Sequence, residues 1–196
     1  MLKDLILYTL GINAFIYIAS SAVAREWKRI DLKIAALYIS TVALMGVFGE
    51  VFVGSIYEAL FHHHLWDYTA YPIHEGFTSK YAPVLWGSYG FYLYLSHGTL
   101  KKYGINRLRH LVLIFGLETV ALELIANASY KVLSGQYLFY YQPSDLWHFT
   151  SLQAMPFYFV AGYAICKIIR RYEQTIKVSI IMNIYLSFVL VFLTSK

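Results

Sequence analysis

The chain is poor in charge, cysteine and proline: of its 196 residues 14% are charged, four are Pro, and Cys166 is the single Cys. One thiol excludes an internal disulfide, a CxxC redox pair and a cysteine-built metal centre. Neither GxxxxGK nor GxGxxG occurs, so the loops that cradle nucleotide phosphates are missing, and no HExxH supplies a helical zinc pair. No Ser, Cys and His fall at a spacing that would assemble a nucleophile with its base. There is no low-complexity linker and no soluble domain.

What the chain has is apolar length. Hydrophobic residues make up 59% of it and the mean hydropathy is +0.52, which makes the bilayer its natural solvent. Six segments approach the ~20 apolar residues of a spanning helix: Leu5–Ala24, Ile34–Phe61, Ala82–Gly98, Leu111–Leu133, Gln153–Ile169 and Lys177–Ser195. The predicted fold is therefore all-α, a polytopic bundle of six transmembrane helices forming one integral membrane domain over residues 1–196. Within it lie a first helix with a basic connector (1–33), a helix pair (34–98), a second pair (109–169) and a closing helix (176–196).

Orientation follows from Lys and Arg. Twelve of the sixteen stand in three places: Arg25, Lys28, Arg29 and Lys33; Lys101, Lys102, Arg107 and Arg109; Lys167, Arg170, Arg171 and Lys177. These connectors are expected on the cytoplasmic side (of the inner membrane in a bacterium), with both termini and the loops 62–81 and 134–152 outside. The net charge of +5 belongs to connectors beside an anionic leaflet and calls for no nucleic-acid partner. Lys3, the apolar run and Ala22-Val23-Ala24 imitate a cleaved signal peptide, but the stronger basic cluster follows the run, which predicts an uncleaved helix.

A repeat runs through the two pairs. Glu50, Tyr57, Leu60, Leu65 and Tyr68 recur 73 residues later as Glu123, Tyr130, Leu133, Leu138 and Tyr141. Phe77-Thr78-Ser79, Ala82 and Gly90 recur 72 later as Phe149-Thr150-Ser151, Ala154 and Gly162. Two-span units insert with the same orientation, so the sequence predicts parallel tandem repeats about an axis along the membrane normal. Thr78-Ser79 and Thr150-Ser151 stand where helices begin and are expected to cap them, while Pro156 is expected to kink the fifth span.

The candidate chemistry lies on that repeat. Glu50, Gly54 and Tyr57 fall at i, i+4 and i+7, one polar stripe on an apolar helix, and Glu123, Asn127 and Tyr130 repeat it. An ionisable group at membrane depth faces a cavity or a partner, so Glu50 and Glu123 are read as a proton or cation site or a general acid, with Tyr57, Tyr130 and Asn127 beside them. Glu118 has no counterpart in the first copy, where Met45 stands, and is read as a substrate-binding group that makes the site asymmetric. The outer loops offer Trp66, Asp67, Tyr68, Tyr140 and Tyr141 as substrate-facing groups. His62, His64, His74 and His148 are the available metal-ligand types, but their spacing matches no recognised pattern. Neither a metal nor a cofactor is assigned.

The stretch EALFHHHLWDYTAYPIHEGF, followed by Trp86-Gly87, resembles the ABC-transporter-type permease family of small bacterial membrane proteins. The likeness rests on Glu58, Leu60-Phe61, Trp66-Asp67-Tyr68-Thr69, Pro72, Gly76 and Trp86-Gly87; the His-Glu before Gly76 departs from it. It implies transport, with any ATPase on a separate subunit. A helix-end Glu followed by an aromatic-x-aromatic loop and Pro also looks like the membrane-embedded carotenoid and terpene cyclases. Three functions thus stand open: transport of a small molecule or ion, acid chemistry on a lipid or isoprenoid, and a non-catalytic subunit of a homo-oligomer or of a partner membrane complex.

Overall fold

The computed structural model describes residues 2–172 and 174–193, with side chains from residue 9 onward. Six helices carry the architecture: α1 Leu2–Ala24, α2 Leu32–Phe61, α3 Ala82–Lys102, α4 Leu108–Ser134, α5 Met155–Tyr172 and α6 Ile176–Phe188, the last running into a π turn over Val189–Leu193. Their limits follow local chemistry. Asp31 caps α2 by accepting from the Lys33 and Ile34 N–H groups at 2.9 and 3.2 Å. At the other end His62, at φ 59°, donates its N–H to Glu58 O and closes the helix.

Four stretches are long and apolar enough to cross a bilayer: Leu32–Phe61, Leu108–Ser134, Leu152–Tyr172 and Ile176–Leu193. α1 contributes a shorter apolar stretch, Thr9–Ala24, and α3 is not among the four. The surface they carry suits lipid: Phe15, Val132, Val160 and Ile181 are each more than 65% exposed. Burying such side chains in hydrocarbon is favourable, and leaving them in water is not. The chain has the make-up of a membrane-embedded protein.

α2 packs most closely on α3, and α4 on α5. The first approach depends on Gly90, where a Cβ would lie 2.7 Å from Tyr38 O. α5 and α6 both pack on α2, which makes α2 the central helix, and α1 packs on α3. Polar links fix these contacts where apolar packing has no direction: Asn183 Nδ2 donates to Thr41 Oγ1 at 3.0 Å, and Asn13 Nδ2 to Ser88 Oγ at 2.9 Å.

At one end of the bundle the loops fold into short strands, which the all-α expectation did not include: β1 Trp66–Tyr68, β2 Pro72–Ile73, β3 Thr78–Ser79 and β4 Phe139–Tyr141. β2 and β3 form a hairpin. β1 pairs antiparallel with β4, with Trp66 opposite Tyr141, Asp67 opposite Tyr140 and Tyr68 opposite Phe139. Two further expectations change. Thr78 and Thr150 cap no helix; their hydroxyls go to carboxylates, and only Ser79 and Ser151 take up helix-start N–H groups, those of Tyr81 and Gln153. Pro156 is not deep inside α5 but its second residue, a position where its missing N–H costs nothing.

Candidate functional site

Glu50 is buried on α2, and three donors from three other elements meet it. Tyr68 Oη of β1 donates to Oε1 at 2.5 Å, Trp86 Nε1 of α3 to the same oxygen at 2.8 Å, and Thr78 Oγ1 of β3 to Oε2. Glu123 on α4 is met in the same way. Thr150 Oγ1 and Tyr141 Oη donate to Oε2 at 2.7 and 3.1 Å, and Tyr158 of α5 hydrogen-bonds both Glu123 and, at 2.7 Å, Tyr141. Hydroxyl and indole donors suit an intramembrane carboxylate because they satisfy its lone pairs without adding a second charge to desolvate. Burial, reinforced by the adjacent carboxylate, holds the Tyr68 and Tyr141 phenols well above their ordinary range, so both remain donors.

Both carboxylates line one cavity of about 60 Å³. Trp66, Tyr68, Trp86, Phe139, Tyr141 and Tyr158 form its aromatic wall, with Met45, Val53 and Ile165 among the aliphatic groups. None of the lining residues is Lys, Arg or His. A volume of this size holds a few waters or one small ion.

The remaining expected site residues lie elsewhere. Tyr57 is two helical turns beyond Glu50, about 10 Å along the axis, and its hydroxyl donates to Gln153 Oε1 at 3.0 Å. Asn127 is wholly buried but faces backbone: Nδ2 donates to Phe139 O at 2.6 Å and Phe149 O at 3.0 Å, and Oδ1 accepts from Leu138 N–H at 2.9 Å. Tyr130 packs against the core without lining the cavity. Glu118 stands about 140° round α4 from Glu123; it accepts from Tyr92 Oη at 2.7 Å, and its Oε2 is buried without a hydrogen-bond partner.

In the loops Asp67 accepts from Gln142 Nε2 at 2.8 Å and lies 2.6 Å from His64 Nδ1, whose Nε2 is 3.4 Å from Glu58 Oε1. Tyr140 stacks on His148 with ring centroids 4.4 Å apart. The four candidate ligand histidines serve separate ends. His62 closes α2, His64 pairs with Asp67, His74 Nε2 reaches Leu190 O at 2.7 Å, and His148 Nδ1 reaches Tyr141 O at 2.8 Å. Among the described residues no three His, Cys, Asp or Glu side chains gather into a metal-binding group.

Sequence reasoning passed over Tyr158 and took Trp86 only for its place in a family pattern. The signal was present: Trp86 and Tyr158 are 72 residues apart, the spacing of the Phe-Thr-Ser triplets, but the two residues differ in type. No protein-family model, curated protein or solved structure matches this chain.

Proposed function

We propose that the protein carries a proton or a small monovalent cation across the membrane, with Glu50 and Glu123 as its intramembrane binding pair. One observation carries this reading: both carboxylates open on a single cavity that no basic side chain lines. Two carboxylates in a dry space repel each other and are costly to ionise together. A proton or a bound cation relieves that cost, and its departure restores it, which is the behaviour of a site that loads and unloads. The aromatic wall also suits the second reading, acid catalysis on an isoprenoid, because π faces stabilise carbocations. Volume favours the first: about 60 Å³ accepts an ion, whereas sites for larger organic ligands occupy roughly 300–1,000 Å³.

The bundle is read as six spans, α1 and α3 crossing with the four longer stretches, and its two helix pairs as parallel copies of one unit. The donor spacings support duplication. Tyr68, Thr78 and Trp86 follow Glu50 by 18, 28 and 36 residues; Tyr141, Thr150 and Tyr158 follow Glu123 by 18, 27 and 35. The strand pairing supports it independently. At the repeat offset of 73, Trp66 corresponds to Phe139, Asp67 to Tyr140 and Tyr68 to Tyr141. The observed register sets Asp67 against its own equivalent and exchanges the other two, as a twofold axis through the Asp67–Tyr140 pair requires. The likeness to the permease family agrees with transport.

Flux into liposomes decides the matter. Wild-type protein reconstituted against a pH or cation gradient is expected to dissipate it. Glu50→Gln and Glu123→Gln, which keep the shape and one acceptor oxygen, reduce flux to the level of empty liposomes while the protein stays folded. No flux in the wild type, or undiminished flux in both variants, removes the proposal and leaves the pair as a clasp between helices and loops.

A further inference from the structure

We propose that the opposite, basic end of the bundle holds a binding pocket for a phosphate group, set between α3, α5 and the α3–α4 connector. A cavity of about 210 Å³ opens there. Two turn-spaced pairs line it: His97 and Lys101 on α3, and Cys166 and Arg170 on α5. Residues four apart share a helix face, so both helices turn a cation toward the same space. Tyr38, Leu111 and Ile169 are buried residues of its lining, and Asn106 is exposed at its edge.

The chemistry of the lining selects an anion. Lys101 and Arg170 bring two positive charges, no Asp or Glu lines the cavity, and Tyr38 Oη and His97 Nδ1 are hydrogen-bonded to each other at 3.1 Å beside them. A guanidinium fork and an ammonium lining one cavity match an anion that has several acceptor oxygens and more than one charge to share, which a phosphate group has and a single carboxylate does not. The volume takes a phosphate with a short attached fragment and falls below the roughly 300–1,000 Å³ of sites for larger ligands. The surrounding connectors, with Lys102, Arg107, Arg109, Lys167 and Arg171, raise the local concentration of any such anion. A phosphate here comes either from the headgroup of an anionic lipid in the adjoining leaflet or from a soluble phosphate ester.

Native mass spectrometry of the full chain, released from bilayers holding equal phosphatidic acid and phosphatidylcholine, tests the lipid source. A thermal shift in detergent with inorganic phosphate tests the soluble one. The wild type is expected to retain phosphatidic acid about tenfold over phosphatidylcholine, or to gain thermal stability from inorganic phosphate if the ligand is soluble. Lys101→Gln with Arg170→Gln removes the preference, and Arg170→Gln alone, at an exposed position, weakens it. Lys167→Gln with Arg171→Gln removes the same charge outside the cavity and leaves the preference intact. Equal retention of both lipids with no phosphate shift overturns the proposal. So does an equal loss from the two double variants, which would reduce the effect to unspecific attraction by a basic surface.

Discussion

Glu50 depends on a side chain that another residue makes room for. Trp86 reaches Glu50 because Gly46, one helical turn earlier on α2, leaves its indole a place to lie: a Cβ there would stand 2.1 Å from Trp86 Cγ. Gly46→Ala is expected to displace the indole, break the Nε1 bond to Glu50 and cost about 1–3 kcal/mol as an overpacked contact. Thermal unfolding in detergent checks this, with Gly98→Ala as the matched change, since a Cβ at Gly98 meets nothing within 4 Å. Equal midpoints for the two variants would mean that the indole has room to move and that Glu50 does not depend on its position.

Among the elements, the segment that carries β4 is tied to α4 by the Asn127 amide as well as by the Tyr141–Glu123 bond. Asn127 serves two carbonyls and one N–H of the segment that carries β4. Asn127→Leu, similar in size but without donor or acceptor, strands those groups at about 1–3 kcal/mol for each that stays buried. Faster hydrogen exchange over residues 137–141 is expected, with α2 unchanged; protection equal to wild type would show that β4 is held without the amide. The helices were legible in the sequence because apolar length and turn-spaced stripes are local signals, and α2 and α4 end close to where composition placed them. The strands were not. Trp66–Tyr68 is too short for a period of two to register, and its partner lies some seventy residues away. The stripe groups Glu50 and Glu123 with Tyr57, Tyr130 and Asn127, of which the two glutamates line the cavity and the other three do not, because a helix face extends along the axis well past any one cavity. Trp86 and Tyr158 escape a comparison by residue identity, because what they share is a donor group that reaches a buried carboxylate and not a residue type.

For the molecule as a whole, the basic connectors are expected to set which way it sits. With Cys166 replaced by Ser, single cysteines at Trp27 and Tyr103, both exposed, are expected to react with a membrane-impermeant maleimide from one side of sealed vesicles, and one at Trp147 from the other. Labelling of Trp27→Cys and Tyr103→Cys from opposite sides would mean that α2 and α3 do not both cross. The β1–β4 pairing has a consequence for biogenesis. About seventy residues separate the end of β1 from the start of β4, so at ~5–20 residues per second the ribosome needs about 4–14 s to deliver the second strand after the first. Throughout that interval β1 presents an open edge, and β4 of a neighbouring nascent chain fits it as well as its own. Slower translation through residues 69–138 is therefore expected to favour strand exchange between nascent chains over closure within one chain.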